Sequence, residues 1–173
     1  MDCQIKDLTN TIFEAIRATK AQIDSKYAGK KLLGYALCTD DDVVGVYHVA
    51  CTEDWVDERK EHYKEIGYIS VEWEQSGDDT LFDSSNKIIR NHYDTVKENF
   101  PTRRDARFEC CVSALEKARA EGVFENYTHL SVGSTDPCDH LEFLETKGID
   151  RMNPPKLADE LIKALGFHEY RNQ

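Results

Sequence analysis

The sequence predicts an α+β fold, a small and mainly antiparallel sheet of about four strands packed with several helices. Three observations carry that expectation. Apolar residues recur at helical spacing in some segments and alternate at strand spacing in others. The elements fall in the order helix, hairpin, helix, strand, two helices, strand, two helices. A chain of 173 residues without an internal repeat, a low-complexity tract or a linker suits one core, so a single domain is expected over residues 1–173.

Ile5, Leu8, Ile12, Ala15, Ile16 and Ile23 form one stripe of an opening helix, with Thr19 its one polar member. Residues 32–38 and 43–50 are apolar and partly β-branched, and Thr39-Asp40-Asp41-Asp42 between them suits a reversing turn, which gives a hairpin. Thr52 caps the next helix, Glu53 and Asp54 face the positive end of its dipole, and Gly67 ends it after Ile66. Ile69, Val71 and Trp73 alternate with Ser70, Glu72 and Glu74, the pattern of a third strand that buries the first set and turns both glutamates to solvent. After the polar Gly77-Asp78-Asp79 loop, Leu81, Ile88, Ile89, Tyr93, Val96 and Phe100 mark a helix that stops before Pro101. Phe108, Cys111, Leu115 and Ala118 line a further helix ended by Gly122, and Tyr127 to Val132 reads as the fourth strand. Asp136-Pro137 begins a turn and a short acidic helix. Asn153 caps a last helix that opens on Pro154, carries Leu157, Leu161, Ile162 and Leu165, and closes at Gly166.

A hydrophobic share of 40% with aromatics throughout marks a chain that folds. There is no basic start leading into an apolar run and no stretch of about 18 apolar residues, so a cytoplasmic protein that does not enter a membrane is expected. In that compartment the six cysteines (Cys3, Cys38, Cys51, Cys110, Cys111 and Cys138) read as reduced thiols, mostly small apolar filler. The net charge of -11 is concentrated: residues 39–83 carry fourteen acidic and three basic side chains. Such a field repels nucleic acid and anionic lipid and speeds encounter with a basic partner.

Tyr35-Ala36-Leu37-Cys38-Thr39-Asp40-Asp41, Cys51-Thr52-Glu53-Asp54, the isolated Trp73, Leu130-Ser131-Val132 with Ser134 to Asp136, and Met152-Asn153-Pro154-Pro155 form an ordered set spanning nearly the whole chain. Together they resemble the bacterial family known as domain of unknown function 4303, with Met152 standing where leucine is expected in relatives. The family has no established activity. The resemblance implies an interaction role of the immunity kind, through the toxin and immunity gene neighbourhoods linked with such relatives, and it supplies no catalytic residues.

The chemistry-bearing residues leave little else. Asp136, Cys138 and His140, joined by Cys110, Cys111 or His129, are the nearest approach to a metal site, yet no paired C-x-x-C or H-E-x-x-H is present. Surface histidine and structural thiols explain them better than a metal does, and helix packing accounts for at least one of Cys110 and Cys111 without a nucleophile. The nine glycines form no phosphate loop. No enzyme activity and no cofactor are therefore expected. The acidic quarter is different because Trp55, Tyr63, Tyr68 and Trp73 are interleaved with its carboxylates, the composition of a binding surface if the tryptophans are not core. Its partner-binding candidates are Asp40, Asp41, Asp42, Glu53, Asp54, Asp57, Glu58, Glu72, Glu74, Asp78, Asp79 and Asp83. The leading expectation is an immunity-type protein that neutralises a cognate toxin C-terminal domain, a basic nuclease foremost, through this acidic surface. The alternative is a small metal-binding protein or enzyme with a site near Asp136, Cys138 and His140.

Overall fold

The structure, a computed structural model, describes residues 3–59, 70–73, 78–95, 100–136 and 138–171. It is α+β, as the periodicities require, with seven α-helices and three strands among the described residues. Helix α1 spans Cys3–Lys26, strand β1 Leu32–Thr39, β2 Tyr47–Thr52, α2 Glu53–Arg59, α3 Asp83–Thr95, α4 Phe100–Ala120, β3 His129–Ser134, α5 Asp139–Met152, α6 Pro155–Leu165 and α7 His168–Arg171. Two 3-10 turns, Ser70–Glu72 and Asp79–Phe82, lie between α2 and α3.

The sheet has the order β2-β1-β3. Its β1–β2 pair is antiparallel, with Leu37 opposite His48 and Cys38 opposite Tyr47, but β3 runs parallel to β1, with Leu37 opposite Val132. The sheet is therefore mixed rather than mainly antiparallel. A parallel return needs a long crossover, and α3 and α4 lie in the connection that supplies it. Alternation along β1 divides the core: Tyr35 and Leu37 join Leu8, Ile12, Ile16, Phe82, Phe108 and Leu115, whereas Ala36 and Cys38 join Trp55 and Trp73. Thr19, the polar member of the first stripe, is fully buried and spends its hydroxyl on Tyr35 Oη at 2.7 Å.

The expected third strand is replaced by a 3-10 turn. Ser70 is buried, Val71 is 38% exposed and Trp73 is buried, so the alternation that suggested a strand does not survive at Val71. The reason is a close approach at Gly34, where a Cβ would meet His129 Nε2 at 2.2 Å and Trp73 Cη2 at 2.4 Å. Trp73 stacks on His129 with ring centroids 4.8 Å apart, and both rings reach the bare backbone of β1 at Gly34. Both tryptophans are core. Ile69, Glu74 and the expected helix end at Ile66 and Gly67 lie outside the described residues, as does Val96.

Helix α3 ends at Thr95, before Pro101, while Phe100, expected at the end of that helix, opens α4 instead, and Pro101 sits in the first turn of α4, where its missing amide breaks no helical hydrogen bond. Helix α6 is capped at Pro154 and starts at Pro155, so Asn153 does not cap it. Asn153 instead closes α5 and turns its amide onto the outer edge of β3, accepting from Leu130 N at 2.8 Å and donating to Leu130 O at 2.8 Å. A side-chain amide thus pairs with an edge strand as a further strand would. Beside it Arg119, held near 10 by burial, donates to Met152 O, Glu125 O and Thr128 O. Gly166 ends α6 at φ 78°, as its position suggested. No helix among the described residues is long and apolar enough to cross a membrane.

Candidate functional site

The connection from β1 to β2 is the most constrained acidic segment. Asp40 O accepts from Val43 N at 3.2 Å, Asp40 Oδ1 accepts from Val44 N at 3.0 Å, and Thr39 Oγ1 donates to Gly45 O at 2.7 Å. These bonds force Val43 to a φ of 52°, the one positive φ among the described non-glycine residues. For a β-branched side chain that conformation costs roughly 1–2 kcal/mol, and it persists because Val43 is completely buried. Arg107 of α4, 1% exposed, reaches beneath the turn and donates to Asp42 O at 2.7 Å. Burial lowers the pKa of its guanidinium, and the charges of Asp40 and Asp42 oppose that shift. Partial burial, then the charges of Asp41 and Asp40, raise the pKa of the Asp42 carboxyl against the pull of Arg104 and Arg107. The turn is therefore a rigid acidic tip, with Asp41 exposed.

Its neighbours extend the tip. Thr135 N donates to Thr39 O at 2.9 Å, which brings the loop carrying the exposed Asp136 alongside. On the other flank Asn86 of α3 bonds Val46 N and O at 2.7 and 3.0 Å. This fixes the start of α3, with Asp83, against the segment that leads into β2. Asp79 acts electrostatically on Tyr47 and His48. Asp78 spends its carboxylate on Thr80, whose amide and hydroxyl lower its pKa.

The remaining candidates are elsewhere. Glu53, Asp54, Asp57 and Glu58 belong to α2, beyond Thr52, which pairs with Leu32 at the start of β1. At about 3.3 Å per residue the length of β1 separates them from the turn by roughly 23 Å. They are also partly spent: Asp54 pairs with Lys30 at 2.5 Å, Glu53 accepts from Lys31 N at 3.4 Å, and Glu58 contacts Arg59 at 3.5 Å. Glu72 is exposed on the 3-10 turn over the Trp73 face, and Glu74 lies outside the described residues. Among the described residues the acidic quarter therefore does not gather in one patch, since the tip and α2 lie at opposite ends of β1.

Cys138 is exposed at the N-cap of α5, and His140 Nε2 meets the Asp105 carboxylate at 2.9 and 3.0 Å. Asp136 N instead donates to Ser134 Oγ at 3.2 Å. Among the described residues no group of three or more His, Cys, Asp or Glu side chains is placed to hold a metal ion. Cys38, Cys51, Cys110 and Cys111 are buried.

A second polar cluster, unforeseen, lies on the Trp73 face at the carboxyl ends of β1 and β3. It comprises Cys38, Tyr47, Ser70 and Glu145. Burial, with the charge of Glu145, pushes the Cys38 thiol up to about 12 against the nearby hydroxyls of Tyr47 and Ser70, so it is no nucleophile. Burial, then the charge of Glu142, pushes the Glu145 carboxyl up to about 8. The sequence held a signal for Glu145 and for Arg107. Glu145 falls four residues from both Leu141 and Ile149, and Arg107 four residues from Cys111, so each is a charged group set in an apolar stripe.

A family model described as domain of unknown function (DUF4303) matches residues 12–154 of this chain, from the first stripe to the residue after Asn153. No curated protein and no solved structure matches.

Proposed function

The chain belongs to the DUF4303 family, and for it we propose an immunity-type role: it binds a basic cognate toxin domain and blocks it sterically, using the acidic tip between β1 and β2. The observation that carries this reading is the strained, buried Val43 beneath Asp40, Asp41 and Asp42. A backbone held in a costly conformation by three local hydrogen bonds and a fourth from a buried arginine presents its carboxylates with little backbone entropy left to lose on docking. Crowded like charges are unfavourable alone and are relieved when a basic surface arrives, which supports a cationic partner of the kind a nuclease cleft offers. Asp79 and Asp83 add to the field on one flank and Asp136 on the other. The paired carboxylates of α2 are left out of the interface, and the reading asks no chemistry of this chain.

The experiment is co-production with the C-terminal domain encoded by the adjacent gene, which this reading expects to be basic and to arrest growth when produced alone. Wild type restores growth, and the Asp41→Lys/Asp42→Lys double variant, which leaves the Asp40 contacts in place, does not. Full protection by that folded variant would remove the tip from the interface.

A further inference from the structure

We propose that the open pocket between the first turn of α5 and the closing helix α7 receives a guanidinium group, an arginine side chain of the basic partner. The pocket deepens the docking reading and rests on it.

The pocket has a volume of about 480 Å³ and is lined by Asp139, His140, Phe143 and Tyr170, three rings and one carboxylate. His140 and Phe143 are three residues apart on α5, so they share a face of the helix. Tyr170 comes from α7 and is fixed in place. Its hydroxyl donates to Glu142 Oε2 at 2.8 Å, and Phe167 meets its ring edge-on with centroids 5.9 Å apart. Arg171 ties α7 down further, through Asp150 at 2.6 Å and Asp159 at 2.5 Å. His140 is held in turn by the Asp105 carboxylate at 2.9 Å. The walls are therefore set before any ligand arrives, which lowers the entropy lost on binding.

Charge decides which ligand fits. The cations nearby are engaged: Arg171 in its two pairs, and Lys147 with Arg171 O at 3.4 Å and over the Phe143 ring at 5.2 Å. Asp139 is exposed and makes no hydrogen bond or ion pair among the described residues. Ring faces carry partial negative charge, so rings beside an unmatched carboxylate attract an organic cation and repel an anion. Among organic cations a planar guanidinium can both stack on a ring and donate two parallel bonds to a carboxylate, and an ammonium cannot.

Position joins the pocket to the docking surface. Thr135 N donates to Thr39 O at 2.9 Å at the root of the acidic tip. Asp139 follows four residues later, no more than about 14 Å along the chain, with the exposed Asp136 between them. A standard interface is roughly 30 Å across, so a partner seated on the tip also reaches the pocket.

The test titrates the full chain with n-butylguanidinium chloride, and separately with n-butylammonium chloride, by NMR at constant ionic strength. Saturable shifts are expected at the Asp139 and His140 amides and at the Tyr170 ring. The guanidinium midpoint should be about 0.1 M or tighter, and about threefold or more below that of ammonium. Tyr170→Ala should weaken it about tenfold or more and Asp139→Asn about threefold or more, whereas Tyr170→Phe, which keeps the ring, should leave it within about twofold. Shifts that never saturate, ammonium binding as tightly as guanidinium, or equal midpoints in wild type and Tyr170→Ala overturn the pocket. If Tyr170→Ala does not fold, Asp139→Asn carries the comparison. Failure here, with the Asp41→Lys/Asp42→Lys variant still losing its partner, condemns the pocket alone; full protection by that variant condemns the docking reading whatever the titration shows.

Discussion

Replacing Glu145 with glutamine should change the shape of the stability curve against pH. In the unfolded chain this carboxyl has its ordinary value of 4.5, and in the fold it is held near 8. A raised folded value means that its contribution is fully present below pH 4.5 and is lost as pH rises toward 8, because the unfolded chain releases its proton first. At about 1.4 kcal/mol per unit the full loss is about 5 kcal/mol, an upper bound because part of the residue meets solvent. His129 acts in the opposite sense. Burial, then the charge of Arg119, pulls it from 6.5 to about 3, so stability falls as pH drops below 6.5; His48, also lowered by burial, adds to that fall. In wild type the Glu145 and His129 slopes oppose each other between pH 4.5 and 6.5, leaving the His48 contribution, and from 6.5 to 8 the Glu145 slope gives a loss of up to about 2 kcal/mol. Glu145→Gln should instead gain stability from pH 4.5 to 6.5 and then stay level. Urea denaturation at half-unit pH steps measures both curves. Parallel curves for the two proteins would refute the embedded, unpaired carboxyl.

Gly34→Ala should destabilise by about 3 kcal/mol in the same assay and perturb tryptophan fluorescence, because its Cβ would collide with the stacked rings of His129 and Trp73. Asn153→Ala should cost about 2–4 kcal/mol by leaving both polar groups of Leu130 unpaired, and Asn153→Asp should recover only the bond from Leu130 N. Brief labelling with a thiol reagent, read by peptide mass spectrometry, should modify Cys138 in the native state. Cys38, Cys51, Cys110 and Cys111 should react only after denaturation.

The helices were legible because their stripes are long: the α1 pattern and the Gly122 and Gly166 stops describe the observed elements closely. The hairpin was legible too, from two apolar runs around an acidic turn. The direction of β3 was not, since a strand's side-chain pattern reads the same parallel or antiparallel. The segment around Trp73 misled because alternation over a few residues cannot distinguish a strand from a turn that drops one indole onto a glycine. An asparagine before proline commonly caps the helix that follows, and only the bare edge of β3 explains the different task of Asn153. At the candidate site the acidic residues are legible as a sequence cluster, but residues close in sequence lie at both ends of β1. What ranks the tip above α2 is the backbone of Val43 and the depth of Arg107, neither of which composition reveals.

The docking account stands most directly on the association rate of this chain with its basic partner domain, measured by stopped flow over a range of salt. Asp41→Lys/Asp42→Lys should slow association about tenfold or more at low salt and flatten its salt dependence, whereas Asp57→Lys/Glu58→Lys on α2 should change it less than about twofold. Equal effects from the two pairs, or a larger one from α2, would contradict the account.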